Sequence, residues 1–145
     1  MIRPAPGLSI EEQPEPIVLR MLAYGEARGE GGVGILAVLH VVQNRALNLD
    51  TTLKHEALRK RQFSCFNDDD PNRTNLLTAD IRSPNAWAAV DAVCACFEKD
   101  LTIDPTQGAT HYFVEHMDHP PAWGRGHAEW KETVVLGAHV FGVAG

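Results

Sequence analysis

Apolar residues in the first part of the chain recur every three or four positions, which predicts amphipathic helices. Ile17, Met21 and Tyr24 share one face of a helix that begins near Glu15 and runs into a glycine-rich stretch. A second helix is predicted over residues 33–47, and its apolar stripe leaves little polar surface. We therefore expect the second helix to be the buried centre of the fold.

Two further helices are predicted from their start signals. Thr51 or Thr52 can cap a short helix over residues 51–61. A capping serine followed by proline at the first helical position predicts a helix from Pro84 to about Lys99. The apolar stripe of that helix comprises Trp87, Val90, Cys94, Phe97 and Leu101.

Residue types typical of strands dominate near the C-terminus. Residues 109–114, 133–136 and 139–141 are rich in β-branched and aromatic residues, which predicts a small sheet. The predicted fold class is mainly α, with this small C-terminal β region, in one catalytic domain over residues 15–145. Residues 1–14, which contain several prolines, are expected to form a flexible N-terminal arm.

Composition limits the classes of partner. The 145 residues are 44% hydrophobic and carry a formal net charge of -6, which fits one globular domain and disfavours nucleic acid. No apolar run approaches the roughly 20 residues of a membrane helix, so no membrane insertion is expected. The N-terminus has no apolar core of a signal peptide, so cytoplasmic synthesis is expected. The three cysteines are expected to be reduced and mostly buried.

The stretch at residues 24–32, Tyr-Gly-Glu-Ala-Arg-Gly-Glu-Gly-Gly, has the pattern of a helix end. Glycine inside a helix costs about 1 kcal/mol relative to alanine, so four glycines in nine residues disfavour a helix interior. Glu26 would then face the negative end of the helix dipole, which raises the pKa of a carboxylic acid. A protonated carboxylic acid can act as a general acid. Arg28 and Glu30 are interpreted as structural support.

Other kinds of catalytic site have weaker support. The potential metal ligands within seventeen residues are His111, Glu115, His116, His119 and His127. The chain has no His-Glu-x-x-His or Cys-x-x-Cys motif, so loop histidines are favoured over a metal site and no cofactor is expected. Cys65 lacks an activating context, and no Gly-x-Ser-x-Gly motif is present.

Five segments, taken in order, resemble the cell-wall hydrolase family typified by the spore cortex-lytic enzyme SleB. They are YGEARGE at 24–30, AVLHVVQNR at 37–45, QFS at 62–64, GATHYF at 108–113 and GAHVF at 137–141. Each segment alone is a weak signal, whereas the ordered set is specific. The resemblance runs from about residue 17 to 142, nearly the whole domain.

The resemblance implies a lysozyme-like, lytic-transglycosylase-type fold that acts on the glycan strands of peptidoglycan. Glu26 corresponds to the catalytic acid of the family. The substrate-binding residues that the resemblance suggests are Tyr24, Gln62, Phe63 and Tyr112. The residues expected to support the site are Arg28, Glu30, His111 and His139.

Unlike typical members of the family, this protein is expected to have neither a signal peptide nor a separate peptidoglycan-binding domain. It therefore looks like a monomeric bacteriophage endolysin that reaches the cell wall after release by a holin-like partner. A virion-associated lysin is the alternative. Its acidic net charge opposes binding to the anionic cell wall, and the basic group at residues 59–61 is the candidate that offsets this charge.

The number of usable carboxylates distinguishes two mechanisms. A conventional glycosidase uses two carboxylates, whereas a lytic transglycosylase can use one as acid and then as base. Glu26 alone therefore favours a lytic transglycosylase. A hydrolytic muramidase would need a second carboxylate from Glu30, Asp68, Asp69, Asp70 or Asp80. A metal-dependent cell-wall amidase and a non-catalytic glycan-binding protein are further alternatives.

Overall fold

Helices occupy most of the chain in a computed structural model that describes residues 1–59, 63–117 and 121–144. The helices are α1 (Glu15–Ala27), α2 (Gly31–Leu49), α3 (Leu53–Ala57), α4 (Ala79–Arg82) and α5 (Pro84–Glu98). Two 3-10 turns, at Ser64–Phe66 and Arg73–Thr78, lie between α3 and α4.

A small antiparallel sheet follows the helices. Its strands are β1 (His111–Val114), β2 (Lys131–Leu136) and β3 (His139–Val143), in the order β1-β3-β2. Phe141 in the central strand lies opposite Tyr112 of β1 and Val134 of β2. The prediction of a mainly α fold with a small C-terminal β region is confirmed.

The helix at the centre of the fold is α1, and the prediction that α2 would hold this place was wrong. Eight consecutive side chains of α1, residues 17–24, are buried, and α1 packs against α2, α3 and α5. Arg20 is among them, and it donates to Asp91 at 2.7 Å and to Glu98 at 2.9 Å. The sequence pattern did not predict the full burial of α1, because Arg20 is charged and a charged residue usually lies at the surface. Its guanidinium can be buried here because Asp91 and Glu98 on α5 pair with it.

The predicted helices are present, but α3 ends at Ala57 and is shorter than the predicted 51–61, and the apolar stripe of α5 loses its last member. Thr52 caps α3, since its hydroxyl accepts the His55 N–H at 3.0 Å. Trp87 is fully buried, as predicted. Leu101, expected in the same stripe, is 71% exposed because α5 ends at Glu98 and Asp100 adopts a left-handed backbone.

The first fourteen residues contact the helical core. Ile10 and Gln13 are buried, and the Gln13 amide exchanges two hydrogen bonds with the backbone of Ala5. The Trp87 indole N–H donates to the carbonyl of Ile2 at 3.0 Å. The expected flexibility of this arm stays a prediction.

Polar side chains of α2 hold the segment that leads into β1. Asn44 donates to Asp104 and to the carbonyl of Ala109, each at 2.9 Å. Arg45 donates to the carbonyl of Thr110. These bonds hold the start of β1 against α2. They thereby fix the position of β1 relative to α1.

Within the described residues, no helix has the length and apolar character that crossing a membrane requires.

Candidate active site

A groove lies between the end of α1, the 3-10 turn at Ser64–Phe66 and the sheet. Its cavity volume is about 390 Å³. The side chains that line it come from α1, α2, the turn, β1, β3 and the loop after β1. They are Glu26, Arg45, Phe63, Ser64, Asn67, His111, Tyr112, Phe113, Val114, Trp123 and His139.

Glu26 is the one acidic residue among the described residues that line this groove. It lies in the last turn of α1, half-buried, and its carboxylate accepts the Ser64 hydroxyl at 3.4 Å. Burial is the largest cause that raises the pKa of Glu26, and the charge of Asp70 raises it further. Hydrogen bonds from Ser64 and Tyr112 partly offset this rise. The raised pKa agrees with the sequence-based expectation, although burial is its main cause.

Tyr112 on β1 stands opposite Glu26 in the groove. Its ring packs between Phe63 and Phe141, with ring-centre distances of 6.5 Å and 5.3 Å. Burial raises the pKa of the Tyr112 hydroxyl, and the negative charge of Glu26 raises it further. The hydroxyl therefore stays protonated and can donate to Glu26. Phe63 is only 2% exposed, so it forms the base of the groove rather than a broad contact surface.

Arg45 reaches the groove from α2. Its guanidinium lies 5.2 Å from the centre of the Phe63 ring and also bonds the carbonyl of Thr110. From sequence, a cation near the end of α2 has a sufficient structural explanation in the helix dipole. Only the folded chain brings this arginine into the same cavity as Glu26.

An aromatic wall stands on the sheet side of the groove. Trp123 packs against His111 and Phe113, with ring-centre distances of 4.8 Å and 6.0 Å. Burial lowers the pKa of His111 to about 4, and the charge of Arg45 also lowers it. His111 is therefore neutral near pH 7, which suits its packing on the Trp123 ring.

Tyr24 and Arg28, both predicted at the site, lie outside the groove that Glu26 faces. The Tyr24 hydroxyl donates to Ser83 at 2.8 Å, and the Arg28 guanidinium lies 4.6 Å from the centre of the Tyr24 ring. Both line a second pocket of about 310 Å³, separated from the groove by Gly25 and Cys65.

Glu30 and His139 adjoin the groove in different ways. Glu30 shares a small neighbouring cavity with Glu26, but among the described residues it forms no ion pair with Arg28. Glu30 precedes α2, yet its side chain makes no capping hydrogen bond. His139 opens β3, and its ring meets that of Tyr112 edge to face at 5.6 Å.

Two sequence-based expectations involve residues outside the described part of the chain. Gln62, predicted to bind substrate, lies there. The basic group at 59–61 is represented by Arg59 alone, which pairs with the buried Glu56. The ion pair with Glu56 therefore offsets part of the positive charge of Arg59.

The other acidic residues proposed as partners of Glu26 differ in position. Asp80 pairs with Arg3 at 3.4 Å, and Asp68 lies 3.8 Å from Arg73. Asp69 lines a different pocket, beside Arg73. Asp70 lines the second pocket, and its charge acts on Glu26.

The described residues form neither a metal site nor a site with an activated cysteine. No group of three His, Cys, Asp or Glu side chains in the described chain is arranged to hold a metal ion. The three cysteines are free, and two of them, Cys65 and Cys94, are buried as predicted. Burial raises the pKa of the Cys65 thiol far above its usual range, which leaves little thiolate to act as a nucleophile.

Sequence reasoning did not assign Ser64, Asn67 or Trp123 to the site. Ser64 belongs to the QFS segment, two residues after the predicted substrate-binding Gln62. Its membership of this segment was the sequence signal that could have assigned it to the site. Trp123 stands in the loop rich in His, Pro and Gly after β1, where a lone aromatic residue gives no sequence signal of its own.

The family of this chain follows from a family model described as Cell Wall Hydrolase, which matches residues 29–142. The chain belongs to the Cell Wall Hydrolase family. It is therefore an enzyme that acts on peptidoglycan. The match includes the turn at Ser64–Phe66 and all three strands, and it begins three residues after Glu26. No curated protein and no solved structure matches the chain.

Proposed function

We propose that this cell-wall hydrolase is a lytic transglycosylase that cleaves glycan strands between N-acetylmuramic acid and N-acetylglucosamine. The observation that carries the proposal is Glu26 with its raised pKa, the one acid that lines the groove among the residues the structure describes. A carboxylic acid that keeps its proton at higher pH than usual is suited to protonating a leaving group.

In this mechanism Glu26 acts twice. The protonated carboxyl group donates its proton to the glycosidic oxygen as the bond to C1 of the muramic acid breaks. The substrate's own acetamido oxygen supports C1 while positive charge develops there. The Glu26 carboxylate then takes the proton of the C6 hydroxyl, whose oxygen attacks C1 and closes a 1,6-anhydro ring. One protein carboxylate is sufficient for this sequence.

The neighbours of Glu26 serve this mechanism. Ser64 and Tyr112 donate to the carboxylate, so they stabilise the ionised form between the two proton transfers. Trp123 offers a half-exposed aromatic surface of the kind on which the apolar face of a sugar ring packs. We infer a lysozyme-like arrangement, in which the glycan passes between the end of α1 and the sheet.

The first test is Glu26→Gln, with Glu12→Gln at an exposed position as the control. We expect Glu26→Gln to lower glycan cleavage by at least about 100-fold, because the general acid is lost. The melting temperature should stay equal or rise slightly, since burial disfavours the ionised Glu26 and glutamine removes that charge. Turbidity loss of purified cell walls and thermal unfolding measure the two effects. A Glu26→Gln variant with substantial lytic activity would remove this residue from the role.

A hydrolytic muramidase is the second candidate, because the charge of Asp70 acts on Glu26 from the neighbouring pocket. Mass spectrometry of digested peptidoglycan separates the two outcomes. We expect 1,6-anhydro-muramic ends. Reducing muramic ends, together with loss of activity in Asp70→Asn, would establish the muramidase instead. The SleB-type assignment and the role as a phage endolysin rest on sequence resemblance alone.

A further inference from the structure

The second pocket lies directly behind the catalytic groove. It is lined by Gly25 and Cys65, the chain neighbours of Glu26 and Ser64. A Cβ atom placed on Gly25 would lie 2.6 Å from the Cβ of Cys65, so α1 and the turn touch here. One thin wall therefore separates this pocket of about 310 Å³ from the groove.

Two exposed arginines line this pocket, and in the described part of the chain neither forms an ion pair with a carboxylate. Arg28 is held by the ring and the carbonyl of Tyr24, and Arg82 makes no ion pair within the described residues. The described arginines that pair with carboxylates are Arg3, Arg20, Arg59, Arg73 and Arg125. A chain with a net charge of -6 thus leaves two cations unpaired in the same pocket, next to its candidate general acid.

The rest of the pocket wall is rich in amide and hydroxyl groups. Asn72, Asn75 and Ser83 line it, and Asp70 supplies one carboxylate. Side-chain amides match peptide bonds, since each amide can donate and accept. Arginine binds carboxylates through a planar set of N–H donors. A ligand that combines peptide bonds with free carboxylates would therefore match both the amide groups and the arginines of this wall.

We propose that the second pocket binds the carboxylate-bearing peptide stem of the muramic acid, with Arg82 and Arg28 as the anion-binding residues. This proposal rests on the proposed function and specifies its substrate as stem-bearing glycan rather than bare glycan. N-acetylglucosamine is uncharged, and a muramic acid without its stem offers a single lactyl carboxylate, so only a stem presents peptide bonds and further carboxylates to this pocket. The stem is attached at O3 of the same muramic acid whose bond at C1 is cleaved, and the pocket adjoins the groove at Gly25 and Cys65.

The test compares Arg82→Gln with wild type on two substrates. One is intact glycan strands, and the other is the same strands after an amidase has removed the stems. We expect Arg82→Gln to lower kcat/KM about five- to tenfold on stem-bearing strands, through KM, as loss of one charge-assisted hydrogen bond predicts. Activity on stem-free strands, which keep only the lactyl carboxylate, should fall less, and Arg82→Lys should restore part of the loss on stem-bearing strands.

Lys99→Gln is the matched control, because it removes one exposed cation at the opposite end of α5. It should leave both activities unchanged. Equal losses of Arg82→Gln on both substrates would show that the pocket holds sugar, and no loss on either would show that it holds nothing; each result overturns the proposal.

A binding measurement separates this proposal from the catalytic one. Calorimetric titration of the Glu26→Gln enzyme with a disaccharide that carries its stem, and with the same disaccharide without it, requires no turnover. We expect tighter binding of the stem-bearing fragment, with the difference removed by adding Arg82→Gln. Equal affinities would overturn the stem site even if Glu26 proves catalytic, whereas an active Glu26→Gln enzyme would overturn only the catalytic role.

Discussion

At the residue scale, Glu26 owes its chemistry to the groups that surround it. The helix end alone accounts for the direction in which the pKa shifts, but burial between α1 and the turn at Ser64–Phe66 is the larger cause. Ser64 and Tyr112 act in the opposite direction, because they donate to the ionised carboxylate. The pKa of Glu26 therefore depends on opposing contributions, and single substitutions can change it.

Ser64→Ala tests that balance through the pH profile of kcat/KM. The hydrogen bond from the Ser64 hydroxyl lowers the pKa of Glu26, so its loss should raise that pKa, while the backbone hydrogen bond of residue 64 remains. A general acid works in its protonated form, and activity falls as pH rises through its pKa. We expect the alkaline limb of the profile to move to higher pH. Ser9→Ala is the control, because it removes a serine that bonds the exposed Glu12, and it should not move the alkaline limb. A shift of the limb to lower pH in Ser64→Ala would contradict the assignment of Glu26 as the general acid.

Other site residues could be placed only by the fold. Tyr24 is two residues from Glu26, yet on α1 its side chain points to Ser83 and the second pocket. Arg45, far away in sequence, enters the groove. Neighbours in sequence lie on different faces of a helix, because successive side chains are about 100° apart. Proximity along the chain was therefore a poor guide to membership of the site.

At the element scale, the close contact between α1 and the 3-10 turn positions Ser64 on Glu26. Gly25 permits this contact, since an added Cβ would meet the Cβ and Sγ of Cys65 at 2.6 and 2.7 Å. The glycine-rich stretch was expected to end the helix, and α1 does end within it, at Ala27, two residues after Gly25. At this position glycine serves packing rather than termination.

Gly25→Ala should therefore destabilise the protein by about 1–3 kcal/mol, the usual effect of inserting a methyl group into a packed contact. It should also reduce activity, because the turn that carries Ser64 must move. Gly29→Ala is the matched control: Gly29 is exposed, and an added Cβ would meet nothing within 4 Å. Urea unfolding of both variants measures the difference, and equal stabilities would show that the turn adapts freely.

At the scale of the whole molecule, the helices are joined by ionic contacts as well as by apolar packing. Arg20 is 3% exposed and bridges α1 to α5 through Asp91 and Glu98. Because α1 carries Glu26 and α5 contacts α1 along the core, this bridge holds the helix of the candidate acid in place.

Arg20→Ala should lower the free energy of unfolding by about 3 kcal/mol, since it leaves two partly buried carboxylates without their cation. Arg3→Ala is the control, because its bond to Asp80 is made from a side chain that is 55% exposed. Exposed pairs contribute less than about 1 kcal/mol, so the control should remain close to wild type. A small loss for Arg20→Ala, measured by urea unfolding, would show that water replaces the buried cation.

The sequence by itself predicted α1, α2, α3, α5 and the strands, and it singled out Glu26 as the candidate acid. Helix periodicity, the Thr52 cap, the Ser83-Pro84 start and the β-branched segments are local signals, and each depends on residues within one turn or one strand. Glu26 stood out for the same reason, because its glycine-rich setting and its motif are both contiguous in the chain.

Only the tertiary structure decided what surrounds Glu26. It brought Ser64, Tyr112 and Trp123 into the groove with the acid, and it placed Arg28 and Arg82 together in the second pocket. It also made α1 the central helix, because the charge of Arg20 is satisfied by residues more than seventy positions away. Burial and pairing depend on contacts distant in sequence, and no periodicity along the chain records them.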